Sequence, residues 1–170
     1  PKKKIYVFVA NKQEEKEYKE RLDPNTYGKI VVGVKGIVQQ RQFISRYFKE
    51  CQYIVSLDDD LEELLKLSGD KLVPVKNLDK FFKMAYRELK KNKLYIWGIY
   101  PVKNPYFMYN KTTTDLRFLI GVLYGYINRH EPKLYPNLKS VSKDDYHHTI
   151  LYFLEDGGVV RFNNYTVKTK

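Results

Sequence analysis

The chain has 170 residues and a formal charge of +11, from 31 Lys and Arg against 20 Asp and Glu. That length suits one ordinary domain, and 43% hydrophobic residues can build a core. No apolar run approaches the roughly 18 residues that a membrane span needs, so no membrane partner is expected, and the basic excess favours polyanions such as nucleic acid or nucleotide phosphates.

The opening PKKKIYVFVANK carries an apolar stretch too short for a signal peptide, without a small-residue cleavage site. It reads as a first strand, Ile5–Ala10. QEEKEYKERL then reads as an exposed helix, broken by Asp23-Pro24-Asn25. Lys29–Val34 is a second strand, rich in β-branched residues. After Gly36, a helix is expected with Ile37, Arg41, Ile44 and Phe48 on its buried face. Cys51, the single cysteine, excludes an internal disulfide, suits a reducing, cytoplasmic compartment and reads as a small hydrophobe. Gln52–Leu57 is a third strand.

Leu61–Leu67 reads as a short helix ended by Ser68-Gly69-Asp70. Asn77–Lys93 is an amphipathic helix, with Leu78, Phe81, Phe82, Ala85 and Leu89 on one face and Lys80, Lys83, Arg87 and Lys91 on the other. Leu94–Tyr100 is a strand, followed by the aromatic loop PVKNPYFMYN. Arg117–Ile127 is strand or buried helix, which periodicity does not separate. Asp144–Leu154 is a helix, and VVRF-NN-YTVK reads as a C-terminal hairpin. The order predicts an α/β fold: one domain over 1–170, with a mixed, mainly parallel sheet flanked by helices.

The stretch IVSLDDDLEELL draws attention because three like charges end an apolar strand. In open α/β sheets ligands bind beyond the carboxyl ends of the strands. A divalent cation, Mg²⁺ or Mn²⁺, offsets the repulsion of such carboxylates and can hold phosphates as well. The competing reading is a helix cap, with Asp60 preceding LEELLKL. A second acidic pair, Asp144-Asp145, reads either as a general base or as part of a capping box with Ser142. His147 and His148, adjacent in a helix, point to different faces and do not chelate one ion together.

Lys35, Gln40 and Arg41 flank the turn between the second strand and its helix, where a glycine allows phosphate to approach. The chain has neither a P-loop nor a G-x-G-x-x-G motif. The basic stripe on 77–93 reads as a nucleic-acid backbone contact or as a solvated face. In the aromatic region, Trp97, Tyr100, Lys103 and Tyr106 are candidate acceptor contacts, able to stack on a sugar or an extruded base.

Taken in order, the strand, G-I-V-Q-Q-R-Q-F-I, the amphipathic helix and Q-Y-I-V-S-L-D-D-D resemble the nucleotide-sugar-binding half of GT-A glycosyltransferases. Within that group G-V-K-G-I-V-Q-Q-R-Q-F-I and S-L-D-D-D-L are similar to small viral enzymes. These are the TET-associated glycosyltransferases of phages, which act on hydroxymethylated cytosine in DNA, and a chlorovirus enzyme that builds capsid glycans. The resemblance implies a single GT-A-like, Rossmann-like domain, with residues to about 60 binding the nucleotide-sugar and about 94–170 on the acceptor side.

It implies that Asp58 and Asp60 hold Mn²⁺ or Mg²⁺. Ala10, Asn11, Lys35, Gln40, Arg41 and Asp59 would bind the donor, a UDP-sugar foremost. Asp145 would be the base, with Asp144 beside it. Gln42 stands where the family often has Asn after the Arg, and Asn163 and Asn164 stand where a C-terminal His would complete the metal site. The implied setting is the cytoplasm of a virus-infected cell, with double-stranded DNA as one possible acceptor. A glycan or small-molecule acceptor, and a non-enzymatic nucleic-acid-binding domain, remain alternatives.

Overall fold

The computed structural model describes residues 4–135 and 143–170. The chain divides into two compact units, with the boundary between Lys49 and Glu50. The first unit contains β1 (Tyr6–Val9), α1 (Lys12–Arg21), β2 (Lys29–Val32) and α2 (Ile37–Tyr47). Its two strands pair in parallel, Tyr6 beside Lys29 through Val9 beside Val32. A strand–helix–strand order favours this arrangement, because a parallel return needs a crossover.

α1 starts at a capping box. The Asn11 side chain accepts from the Glu14 amide at 2.9 Å, and Glu14 Oε2 accepts from the Ala10 amide at 2.8 Å. Phe8, Phe43, Tyr47 and Phe48 meet edge to face or tilted in one aromatic cluster. α2 buries Val38 and Ser45, one seven-residue repeat apart, whereas Ile37 is exposed. The buried face is thus turned by one residue from the expected Ile37 face.

The second unit contains β3 (Tyr53–Leu57), β4 (Leu61–Ser68), β5 (Lys71–Pro74), α3 (Leu78–Asn92), β6 (Ile96–Ile99), β7 (Thr112–Thr113), β8 (Leu123–Ile127), α4 (Asp144–Asp156), β9 (Val160–Phe162) and β10 (Tyr165–Thr169). A five-stranded mixed sheet runs β3-β8-β6-β9-β7, and a three-stranded sheet runs β10-β4-β5. β3 therefore does not pair with β1 or β2 among the described residues. It pairs antiparallel with β8, Tyr53 beside Ile127 through Leu57 beside Leu123. The fold is α/β with a mixed sheet and flanking helices, ending in the expected strand–turn–strand hairpin at Asn163-Asn164. The hairpin strands pair outward, β9 with β6 and β7, and β10 with β4.

The expected helix over 61–67 is a strand. Leu, Glu and Lys are good helix formers, and Leu61, Leu64 and Leu65 match helical spacing. Pairing decides otherwise, because β4 is hydrogen-bonded on both sides, to β10 and to β5. Ser68 lies beside Lys71, and Gly69 adopts φ 59 in the two-residue turn between them. Glycine takes that left-handed conformation without a Cβ clash. Ser68-Gly69-Asp70 is therefore a hairpin turn and not a helix stop.

α3 caps with Asn77, whose side chain accepts from the Lys80 amide, and buries Phe81, Ala85, Tyr86 and Leu89. These pack on the sheet face that carries Trp97, Ile99, Leu123, Val160 and Phe162, and the β4–β10 residues Leu64, Tyr165 and Val167 join the same core. On the other face, α4 brings His148 against Tyr124 and its own Tyr152. β6 is buried on both faces at every position. Trp97, wholly buried, has its ring over Gly125 of β8, where a Cβ would fall 2.4 Å from the indole. Within Arg117–Ile127, ambiguous as a sequence, only Leu123–Ile127 is a strand, and Gly125 there leaves room for the ring. Cys51 is exposed and not a core residue, and its backbone adopts φ 63.

Gly125→Ala is expected to destabilise the fold by about 1–3 kcal/mol through overpacking against Trp97, read in urea unfolding followed by the single tryptophan's fluorescence. Burial also pushes the hydroxyls of Tyr86, Tyr126 and Tyr152 above the ordinary tyrosine value of 10.0. The folded state holds these protons more tightly, so their contribution is complete below pH 10 and declines as pH rises beyond it. An alkaline series of thermal melts should show Tm falling from about pH 10 upward.

Candidate functional site

β8 runs antiparallel to both β3 and β6, so β3 and β6 point the same way, and β9 is parallel to β6. Their carboxyl ends open on one sheet edge, the position where α/β folds place ligands. The Asp58–Asp60 turn follows β3 there, and Tyr100–Lys103 follows β6. Between them lies a depression of about 330 Å³. Asp60, Pro101, Val102 and Lys103 line it from these turns, Ile120 and Val122 from the approach to β8, and Val167 and Thr169 from β10.

The Asp58–Asp60 turn is held by its backbone. The Asp58 amide donates to the Val122 carbonyl at 3.0 Å, and the Leu61 amide donates back to the Asp58 carbonyl at 3.3 Å. The Asp60 carbonyl accepts from the Lys170 amide at 3.0 Å. Asp60 Oδ1 is buried and has no hydrogen-bond partner. An unanswered buried carboxylate oxygen is costly, so the backbone holds Asp60 in a place its side chain alone would avoid. A helix cap does not account for it, since β4 and not a helix follows.

Basic residues gather beside this turn. Lys168 binds Glu62 at 2.7 Å. Its hydrogen bond and charge, with help from Lys170 and Lys103, hold the Glu62 carboxyl below its ordinary value. Among the described residues no cluster of three His, Cys, Asp or Glu side chains can hold an ion alone. An ion of the Mg²⁺ type commonly takes only one or two carboxylates and completes its shell with water and phosphate, so a site built on Asp58 and Asp60 would be of that open kind.

Asp144 and Asp145 open α4, and Asp144 is buried. Asp145 Oδ1 accepts from the Tyr146 amide at 2.9 Å, and its carbonyl accepts from the Thr149 hydroxyl at 2.8 Å. Thr149 Oγ1 in turn accepts from the Leu119 amide, and Tyr146 stacks on Phe118 at 3.9 Å. α4 thus fixes the segment that leads into the depression, while neither acid lines it. Lys143, not Ser142, is the N-cap, with no side-chain cap bond. Ser142 lies outside the described residues.

Of the expected acceptor contacts, Lys103 lines the depression and Tyr106 is 86% exposed. Tyr100 is half-buried beneath the Arg161 guanidinium. Trp97 is a correction: its ring is enclosed between α3 and Gly125, leaving no face for a ligand. The expected donor contacts lie in the first unit, apart from Asp59, which is exposed in the turn after β3. Ala10 and Asn11 are engaged in the α1 capping box. Gln40 Oε1 accepts from the Val34 amide at 2.9 Å, closing the loop before α2, with Lys35 exposed and Arg41 half-buried.

Sequence reasoning missed the walls contributed by Ile120, Val167 and Thr169, for which no local signal exists. It also missed a cationic pair on the α4 face. Arg129 grips Asp156 with two bonds of 2.8 and 2.7 Å and lies over Tyr95 at 4.0 Å. Arg161 is buried, and its signal was a charged residue inside the apolar run VVRF. Compared with known protein families, curated proteins and solved structures, the chain matches none of them.

Asp156→Asn should cost about 1.5–3 kcal/mol, because it weakens the paired bonds to a half-buried guanidinium that keeps only the longer contact with Glu131 at 3.9 Å. Chemical denaturation of the variant, with α4 helicity followed by circular dichroism, checks this.

Proposed function

We propose that the chain is a divalent-metal-dependent glycosyltransferase that moves a sugar from a nucleotide-sugar, a UDP-sugar foremost, to an acceptor hydroxyl. The observation that carries this reading is the buried, unanswered Oδ1 of Asp60 at the carboxyl edge of β3 and β6, in the turn that bears the S-L-D-D-D motif. The GT-A assignment is part of the proposal, with the parallel βαβα unit of residues 4–49 as the nucleotide-binding half.

In this reading Asp58 and Asp60 hold Mn²⁺ or Mg²⁺ together with the donor's diphosphate. Such an ion neutralises charge on a departing diphosphate. Asp59, exposed in the same turn, reaches toward the donor sugar. Lys103, in the depression, meets phosphate or an acceptor oxygen. By the resemblance Lys35 and Arg41 of the first unit are donor contacts, and Asp145, with Asp144 beside it, takes the proton of the acceptor hydroxyl as it attacks the anomeric carbon. The viral resemblance gives the cytoplasm of an infected cell as the setting.

Two acceptor classes follow. A hydroxymethylated pyrimidine in double-stranded DNA is suggested by the +11 charge and by the basic face of α3. A glycan or small molecule is favoured by a specific observation on that same face. Lys83 is paired with Asp79 at 2.6 Å and Lys91 with Glu88 at 3.8 Å, as on an ordinary solvated helix. The helix cap at Asp60 that went with the non-enzymatic reading is absent, since β4 follows the turn.

The test is a screen of nucleotide-sugars with Mn²⁺, read by mass spectrometry. At least one donor should be hydrolysed or transferred, with activity lost to EDTA. Asp60→Asn should lower turnover by about a hundredfold or more, the scale of removing a principal electrostatic contact, with an unchanged circular dichroism spectrum. Full activity in that variant, or turnover indifferent to EDTA, overturns the assignment. Salt-sensitive transfer to hydroxymethylated duplex DNA would select the DNA acceptor.

A further inference from the structure

Two arginines are turned to the α4 face of the five-stranded sheet, and they are treated differently. Arg129 has a bidentate carboxylate partner in Asp156. Arg161, in the middle of β9, is only 7% exposed and has none. The register sets Arg161 beside Gly98, and Gly98 beside Tyr124, which His148 of α4 contacts. Every Asp and Glu of the chain lies within the described residues, and none of them pairs with Arg161.

The partners that Arg161 does have are neutral. Its Nε donates to Asn163 Oδ1 at 2.7 Å, and Nη1 reaches the Phe118 carbonyl only at 3.5 Å. The guanidinium carbon lies 5.1 Å from the centroid of the Tyr100 ring. Burial pushes the guanidinium below its ordinary value, hydrogen bonding to Tyr109 works against that, and the neighbouring charge of Arg117 adds to it. A guanidinium offers five N–H donors in a planar fork. A buried cation without a counter-ion is among the costlier features a fold can carry, and a second cation beside it makes the arrangement worse.

We propose that Arg161, with Arg117, Tyr100 and Tyr109, forms a binding site for a phosphate group at the carboxyl ends of β6 and β9. The two guanidiniums select the ligand class. A carboxylate brings one negative charge, whereas a phosphate brings up to two and several acceptor oxygens, enough for both arginines. Arg117 is exposed and pairs with Asp115 at 2.8 Å on the surface, a pair of low intrinsic value that an incoming dianion can outcompete. Tyr100 directly precedes Pro101, and Phe118 stands two residues before Ile120, so the same two segments also line the Asp60 depression. The site does not depend on sugar transfer and needs no metal.

The test is a titration in EDTA with inorganic phosphate, with a nucleoside diphosphate and with acetate, followed by NMR at the arginine Nε–H signals and by calorimetry. Phosphate and the nucleoside diphosphate should shift the Arg161 signal and bind more tightly than acetate. The arm that binds tighter tells a free phosphate from a nucleotide as the source. Arg161→Gln should weaken binding by about tenfold or more, the loss of a charge-assisted pair. Arg117→Gln should weaken it by a few-fold, and Lys71→Gln, exposed at the start of β5, should change nothing.

Absence of phosphate binding by the wild-type protein overturns the site. So does acetate binding as tightly as phosphate, or a folded Arg161→Gln that binds as before. Should Arg161→Gln not fold, the exposed Arg117→Gln and Tyr109→Phe variants decide, and unaltered phosphate affinity in both overturns it.

Discussion

The second unit is organised by one strand buried on both sides. β6 supplies Ile96, Trp97, Gly98 and Ile99, all buried, with β8 antiparallel on one edge and β9 parallel on the other. The indole of Trp97 needs the empty face of Gly125, and Gly98 in turn leaves room for Leu119, whose side chain would lie 2.9 Å from a Cβ there. Two close approaches on opposite faces thus fix the position of β8 and of the segment before it. Because β8 is antiparallel to both β3 and β6, those two strands end on the same edge. The Asp58–Asp60 turn and the Tyr100–Lys103 turn are neighbours for that reason.

Charge placement follows a consistent division. On the α4 face the half-buried cation Arg129 is matched by Asp156. At the carboxyl edge the matching stops: Asp60 keeps an oxygen without a donor, and Arg161 keeps a guanidinium with only neutral partners. Unmatched buried charge lowers stability, and the burial of β6 and the packing of α3 supply the stability against which it is tolerated.

The elements with strong periodicity were legible from the sequence. α3 follows its apolar stripe within a residue or two, and α4 runs to Asp156, with Gly157 at φ 75 as its left-handed cap. β1, β2 and the helices after them also stand where expected. β4 was read as a helix, because a Leu- and Glu-rich heptamer has helical preference and its strand character comes only from two partners, β10 more than ninety residues away and β5 just beyond it. Trp97 was read as a contact residue because an aromatic near a loop looks the same whether it packs inward or outward. The Asp-rich turn was legible as a place of interest, while its wall was not, since Val167 and Thr169 reach it through sheet pairing.

By itself the sequence determined the helices, the strand-length apolar runs, the glycine turns and the position of three carboxylates at a strand end, because these rest on local periodicity and local backbone preference. Only the tertiary structure decided that β3 joins β8 instead of the parallel pair, that 61–68 is extended, and that Asp60 shares a depression with Lys103. It also decided that Arg161 is buried without a counter-ion. Each of these depends on which distant segments exchange hydrogen bonds across a sheet, and that pairing leaves no trace in the spacing of neighbouring residues.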